Sequence, residues 1–283
     1  MHERFVFYSV LMSKIWHRFK RQKLACVGFV LIVSWMLLGF FAPKLAPHDP
    51  FEQVPNRRYQ APNTHHLCGT DQFGRDILSR LLIGSRVSLS LGLAVTTVAL
   101  LIGTTLGAVA GNFGGALDAV IMRGVDLLLS FPLIYLLVTG VAFFGANWAI
   151  LVLVMGLTSW MDLARLVRAE ILSLKERDFI KAAQVLGLSQ SRIVFRHLLP
   201  NALSPIIVLS ALRLADAILL ESSLSFLGLG VQPPAVSWGS IIRDGRDVLA
   251  RAWWIVTFPG LAIMLTAMAL NWIAEGLRKS LSG

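Results

Sequence analysis

Charge is what this 283-residue chain has least of. Only 15% of its residues are Asp, Glu, Lys or Arg, while 55% are hydrophobic. A soluble domain carries about 25% charged residues, so an ordinary water-soluble enzyme is excluded at the outset. Two cysteines rule out a disulfide scaffold and leave too few thiols for a zinc or iron–sulfur centre. No Gly-x-x-x-x-Gly-Lys-Ser/Thr loop occurs, so the chain has no such device for holding ATP. The six histidines (His2, His17, His48, His65, His66 and His197) all fall outside the long uncharged runs. That removes the usual ligands of a membrane metalloprotease, the relays of a His-based proton path and the base of an intramembrane serine hydrolase. Catalysis on this chain is not expected.

What charge there is leans positive, 26 basic against 16 acidic residues for a net +10. The basic residues stand in short blocks beside long apolar stretches, a distribution that suits loops at an anionic membrane surface and not a nucleic-acid interface. About 20 apolar residues cross the hydrocarbon layer as a helix. On that measure residues 24–42 form a first span ending at Pro43, and residues 87–110 a second that stops before Gly111, Asn112 and the Gly114-Gly115 pair. The uncharged run 127–161 is too long for one crossing and divides at Gly145-Ala146-Asn147 into a third and a fourth. Residues 202–221 make a fifth span despite Arg213 and Asp216, and 252–274 a sixth. The expectation is an all-α integral membrane protein with about six transmembrane helices. Its segments are a basic cytoplasmic N-terminus (1–23), the first helix (24–42), an extracytoplasmic loop (43–86) and a five-helix core (87–283).

Positive residues flank the inner side of a membrane. Arg4, Lys14, Arg18, Lys20, Arg21 and Lys23 therefore place the N-terminus in the cytoplasm, and six crossings return Arg278 and Lys279 to the same side. The stretch from Arg165 to Pro200, with Arg168, Lys175, Arg177, Lys181, Arg192 and Arg196, is then cytoplasmic as well. The N-terminal run reads as an uncleaved first span because Pro43 replaces the small-residue site of a signal peptide. Cys26 and Cys68 lie on opposite sides and form no disulfide. Pro132 and Pro259 predict kinks in spans three and six. The outer loop, with Pro47, Pro50, Pro55 and Pro62, predicts a small cap without one continuous helix. His65 and His66 are adjacent there, weak grounds for a metal site. Trp253 and Trp254 fit an interfacial belt.

The inner segment 170–200 carries the most specific pattern. Asp178 reads as a helix N-cap, followed by an apolar stripe of Phe179, Ala182, Ala183 and Leu186. Gly187 is placed to end that helix in the left-handed conformation. Ser189 can cap a second helix through Ile193 and Phe195, until Pro200 marks the return to the membrane. Small alanines permit close approach to another protein; an amphipathic linker lying on lipid fits the same pattern. Three opposite-charge pairs at i, i+3 (Arg123/Asp126, Asp162/Arg165 and Arg213/Asp216) can each meet on one helix face. An ion near mid-membrane costs about 2.5–3.5 kcal/mol, which turns Arg213, Asp216 and the following Glu221 away from lipid. They line a path or gate, or form an interface ion pair.

Lys181-Ala182-Ala183, Gly187 and Leu199-Pro200 together resemble the Glu-Ala-Ala/Gly/Leu-Pro loop of the permease subunits of bacterial ABC importers. Gly69-Thr70-Asp71 with Gly74-Arg75-Asp76 and Ser79-Arg80, the pair Arg123 and Asp126, and Ser225-Phe226-Leu227-Gly228-Leu229-Gly230 with Pro233-Pro234 and Trp238-Gly239 are similar to its dipeptide/oligopeptide/nickel branch. The large loop after span one looks like the second permease of the pair. The resemblance implies a MetI-like architecture whose cytoplasmic coupling helix, at Asp178, Lys181, Ala182, Ala183, Gly187, Leu199 and Pro200, docks on a separate ATPase. It implies a second permease subunit, two ATP-binding subunits holding ATP and Mg, an extracytoplasmic solute-binding protein and the bacterial inner membrane, with no cofactor on this chain. Di- or oligopeptides are the expected cargo, nickel or a metal chelate the alternative, and a stand-alone channel a remote one. Lys181 departs from the family's Glu, facing either water or a carboxylate of the docking partner.

Overall fold

In the computed structural model, residues 16–281 are described. Arg4 and Lys14 of the basic N-terminus lie outside them. Apart from an isolated bridge between Thr70 and Asp76, the described residues contain no strand. The helices are α1 (Lys23–Leu45), α2 (Ile77–Phe113), α3 (Gly115–Leu129), α4 (Leu133–Phe144), α5 (Trp148–Ser159), α6 (Met161–Lys175), α7 (Asp178–Val185), α8 (Gln190–Ile193), α9 (Leu199–Phe226), α10 (Trp238–Gly245) and α11 (Trp254–Leu281). α1, α2, α9 and α11 are long and apolar enough to cross a membrane alone. The pairs α3–α4 and α5–α6 raise the number of candidate spans to six if each bent pair is one crossing.

Several boundaries differ from the expected ones, each for a local reason. α1 continues through Pro43, because a proline in the last turn forfeits one hydrogen bond near an end that already frays. α2 begins at Ile77, ten residues inside the expected outer loop, where Asp76 caps it by accepting from the Ser79 amide at 2.8 Å. Its 37 residues extend about 55 Å, well beyond a hydrocarbon layer of about 30 Å. At the other end Gly111 and Asn112 remain helical. The third span is not a kinked helix: α3 and α4 meet at 86° across Ser130–Pro132, and Arg123 and Asp126 lie within α3. The fourth does not stop at Met161 but bends 42° at Trp160 and runs on to Lys175. Pro259 sits inside an unbroken α11.

Glycine explains the tightest packing. Gly103, Gly107 and Gly111 lie four residues apart, on one face of α2, and α6 is laid directly against them. A Cβ on Gly107 would stand 2.5 Å from the Ala164 carbonyl oxygen and 2.8 Å from the Val167 Cβ. Small residues that let backbones touch are the usual means of association in lipid, where apolar burial gives no net drive. Beyond this seam one continuous apolar cluster joins Ala108 of α2 to Leu163, Val167, Ile171 and Leu174 of α6, Ile180 and Ala183 of α7, Ile193 of α8, and Ala202 and Ile206 of α9. α1 packs on α11, with Gly28 against the Ala269 backbone, and Gln22 donates to the Gly276 carbonyl at 3.2 Å. The ends of α1 and α11 therefore lie together, and Arg278 and Leu281 adjoin Leu166 and Ser204 near the α7 end of the bundle.

Gly107→Leu is expected to wedge α2 from α6 and to destabilise by about 1–3 kcal/mol, as overpacking does. A lowered unfolding temperature of the purified protein in detergent checks this, with Gly124→Leu, where a Cβ meets nothing within 4 Å, as the control expected to leave it unchanged.

Candidate functional site: the α7 knob and the outer cap

α7 projects from the end of α6 as a two-faced knob. Its inner face is Ile180 (0% exposed) and Ala183 (5%), seated in the cluster shared with α6 and α9. Its outer face presents Phe179, Ala182, Val185 (88% exposed) and Leu186 (79%), joined by Phe195 (73%) from the turn after α8. The expected stripe is thus split: Ala183 faces inward with Ile180, whereas Phe179, Ala182 and Leu186 face out. Gly187 adopts φ +70°, and its amide donates to the Gln184 carbonyl at 2.9 Å while that of Leu188 donates to Ala183 at 3.2 Å. This is a Schellman stop, as the sequence predicts. Asp178 is not the cap; Arg177 takes that position and Asp178 is the first helical residue, where its charge still favours the positive helix end. Ser189 holds the N-cap position of α8 without a side-chain bond to it. Lys181 is exposed and pairs with Glu176 at 3.2 Å, so its counter-charge lies in this chain, one turn before it. α8 is only four residues long and passes through a π turn (Val194–Leu198) into α9, with Leu199 and Pro200 in α9's first turn.

Three arginines of α6 and α9 pair between helices. Arg165 of α6 donates to Asp126 of α3 at 2.5 Å, Arg168 to Asp118 at 2.5 and 2.6 Å, and Arg213 of α9 to Asp162 of α6 at 2.7 Å. Of the three expected i, i+3 pairs only Arg213–Asp216 survives, at 3.4 Å. Arg213 and Asp216 thus face α6 at a partly open surface. Glu221 does not join them. It is fully buried, its Oε1 accepting from Ser225 Oγ and Ser237 Oγ, each at 2.7 Å. It anchors the irregular segment 227–237, which folds Val231 back into a core of Leu91, Leu137, Leu151 and Met155. Glu221 is therefore tied within the chain through Oε1, while its Oε2 is buried without a hydrogen-bond partner.

At the opposite end from α7, the loop after α1, segment 227–237, α10 and the start of α11 form a cap. Asp71 accepts from Arg75 Nε at 2.6 Å, and Asp244 of α10 accepts from Arg75 and from Arg80, each at 3.0 Å. Trp238 donates its indole N–H to the Leu81 carbonyl at 3.0 Å. Trp254, expected in the interfacial belt, is instead buried and donates to the Thr70 carbonyl at 3.0 Å, leaving Trp253 exposed. Both cysteines are free, and burial, with Asp76 nearby, pushes the Cys68 thiol up to about 11. His66 turns inward to Asp76 while the adjacent His65 stays exposed. The Asp244 partnership and the Ser237–Glu221 bond are long-range closures that no local pattern announces.

Residues 103–283 match the family described as binding-protein-dependent transport system inner membrane component, and residues 11–62 match the N-terminal TM domain of oligopeptide transport permease C. The chain belongs to this family of transporter permeases. It is 42% identical over 262 residues to a dipeptide transport system permease protein, DppC, of Alkalihalophilus pseudofirmus, covering 93% of this chain and 86% of that one. It is 39% identical to a glutathione transport system permease protein, GsiD, of Pectobacterium atrosepticum (95% and 89% covered). It is 37% identical to an oligopeptide transport system permease protein, OppC, of Haemophilus influenzae (93% and 86%). Among solved structures, the inward-facing MetNI methionine ABC transporter has a chain that superposes with TM-score 0.60 at 16% identity, over 72% of this chain and 97% of that one. The fold is that of a MetI-like ABC permease, and the protein is a multi-pass permease subunit of an inner-membrane, binding-protein-dependent importer.

Gly187→Val should strain a position that requires φ near +70°, by about 1–2 kcal/mol, and should lower transport in the assembled importer. Gly187→Asn, which tolerates that conformation, should retain most of it. Uptake assays on the two variants at matched expression check this.

Proposed function

We propose that this permease imports di- or oligopeptides as half of a heterodimeric pathway. The α7 knob would receive the closing motion of a separate ATPase. The single observation that carries the reading is the construction of α7: an apolar outer face with none of the described residues over it, on a helix whose inner face is locked into α6 and α9. A flexible linker lying on lipid has no use for so firm a mount. Phe179, Ala182, Val185, Leu186 and Phe195 form the docking face. Ile180 and Ala183 transmit force, while Gly187, Leu199 and Pro200 set where the chain turns. Asp178 and Lys181 frame the helix start, with Lys181 paired to Glu176.

On this reading two ATP-binding subunits hold ATP and Mg, this chain performs no catalysis, and a second permease completes the cavity. A solute-binding protein would dock on the cap formed by the outer loop and α10. Both chain ends would lie in the cytoplasm with α7, in keeping with the basic residues at each. The peptide assignment is supported by the dipeptide, oligopeptide and glutathione names of the relatives at 37–42% identity.

The test is ATP hydrolysis by the complex reconstituted in proteoliposomes with its solute-binding protein. Di- and oligopeptides should stimulate hydrolysis several-fold and accumulate inside the vesicles. Stimulation by nickel or a nickel chelate and not by peptides would overturn the substrate assignment. Solute flux through this chain alone, without ATPase subunits, would overturn the importer reading itself.

A further inference from the structure

Where the chain leaves α1 and enters α2, three ligand-type side chains converge for which peptide transport has no evident use. His66 Nδ1 lies 2.9 Å from Asp76 Oδ1, and His48 Nδ1 lies 3.8 Å from the same oxygen. All three ligand atoms fall within 4.8 Å of one another. The rings of His48 and His66 face each other, centroids 4.6 Å apart and inclined by 34°. His66 and Asp76 are almost wholly buried, while the His48 side chain is 31% exposed.

Two details separate this cluster from an ordinary histidine–carboxylate tie. The His48 Nδ1 atom is buried without a hydrogen-bond partner, a costly arrangement for a nitrogen that must either donate or accept. The carboxylate is also divided in its duties. Asp76 Oδ2 takes the helix-capping bonds from the Ser79 amide and hydroxyl at 2.8 and 2.7 Å, which leaves Oδ1 facing the two imidazoles. Backbone constraints fix both histidines. The His48 amide donates to Ser79 Oγ at 3.1 Å, and the His66 amide to Asn63 Oδ1 at 2.9 Å.

We propose that His48, His66 and Asp76 form a binding site for a borderline divalent transition cation of the Zn²⁺ class, which clips the exit of α1 to the entry of α2. Two imidazoles and one carboxylate are the donor set such ions favour. Zinc holds these donors at about 2.0–2.2 Å, which spaces them about 3.0–3.5 Å apart in a tetrahedral site. The His66–Asp76 distance is already close to this range. His48, on the open side at 3.8 Å from Asp76 Oδ1, has to draw closer, and solvent can supply the fourth ligand. A cation at Nδ1 requires the neutral His66 tautomer that carries its proton on Nε2. The converging ligand atoms are those of His48, His66 and Asp76, and Cys68 is not among them. The site does not depend on the identity of the cargo.

The experiment uses the full-length chain in its purified complex, stripped of metal and titrated with Co²⁺ and with Zn²⁺. Co²⁺ should add one equivalent with visible ligand-field absorption, displaceable by Zn²⁺, and Zn²⁺ should raise the unfolding temperature. His48→Ala should weaken binding by at least tenfold and abolish the absorption. Asp76→Asn, which keeps an acceptor for the α2 cap, should do the same while the complex remains assembled. His65→Ala should change neither. Absence of saturable binding, or unchanged stoichiometry and affinity in H48A, would overturn the site; binding lost only in H65A would place the metal on the exposed histidine and overturn it equally.

Discussion

The contact between α2 and α6 along Gly103, Gly107 and Gly111 is the constraint on which the rest of the molecule depends. Lipid offers apolar side chains no gain from burying themselves in one another, so helices must be held by closeness of fit and by polar ties. The glycine face supplies the first, and the interhelical pairs Arg168–Asp118 and Arg165–Asp126 supply the second at the edge of the same seam. With α6 fixed in this way, the direction in which α7 leaves its end is fixed too.

From that follows a mechanical continuity. Ile180 and Ala183 belong to the same buried cluster as Leu163 and Val167 of α6 and Ala202 and Ile206 of α9. A push on the outer face of α7 has no soft joint to dissipate into until it reaches two membrane-crossing elements. The bends lie elsewhere, at Ser130–Pro132 between α3 and α4 and at Trp160 between α5 and α6. At the far end the buried brace of Glu221 and the arginine–aspartate cluster of Asp71, Arg75, Arg80 and Asp244 hold the cap as a second stiff unit. Breaking one partner of such a buried pair costs about 3–5 kcal/mol.

Much of this was legible from residues alone, and the failures are informative. Apolar run length located the membrane-crossing segments, and the left-handed stop at Gly187 followed from its place after an apolar stripe. Boundaries failed where helices outrun their apolar runs: α2 begins ten residues before its own because Asp76 caps it, and α6 continues as a charged rod. Gly111 looked like a terminator because a glycine chosen for close packing and a glycine chosen for a turn are the same letter. Two of the three i, i+3 charge pairs do not form, since Arg165 reaches across to Asp126 of α3 and Asp162 to Arg213 of α9. Ser225 stands one turn from Glu221 on α9, whereas Ser237 reaches it only when the segment 227–237 folds back. His48 and His66, 18 positions apart, had no shared pattern to announce them.

The account stands on force passing through the inner face of α7, and Ile180→Ala addresses it most directly. The cavity it leaves loosens the mount without touching the docking face. In the reconstituted complex the ATPase subunits should still co-purify and hydrolyse ATP, while the number of solute molecules carried per ATP falls several-fold. An unchanged ratio of transport to hydrolysis, with α7 loosened, would contradict it.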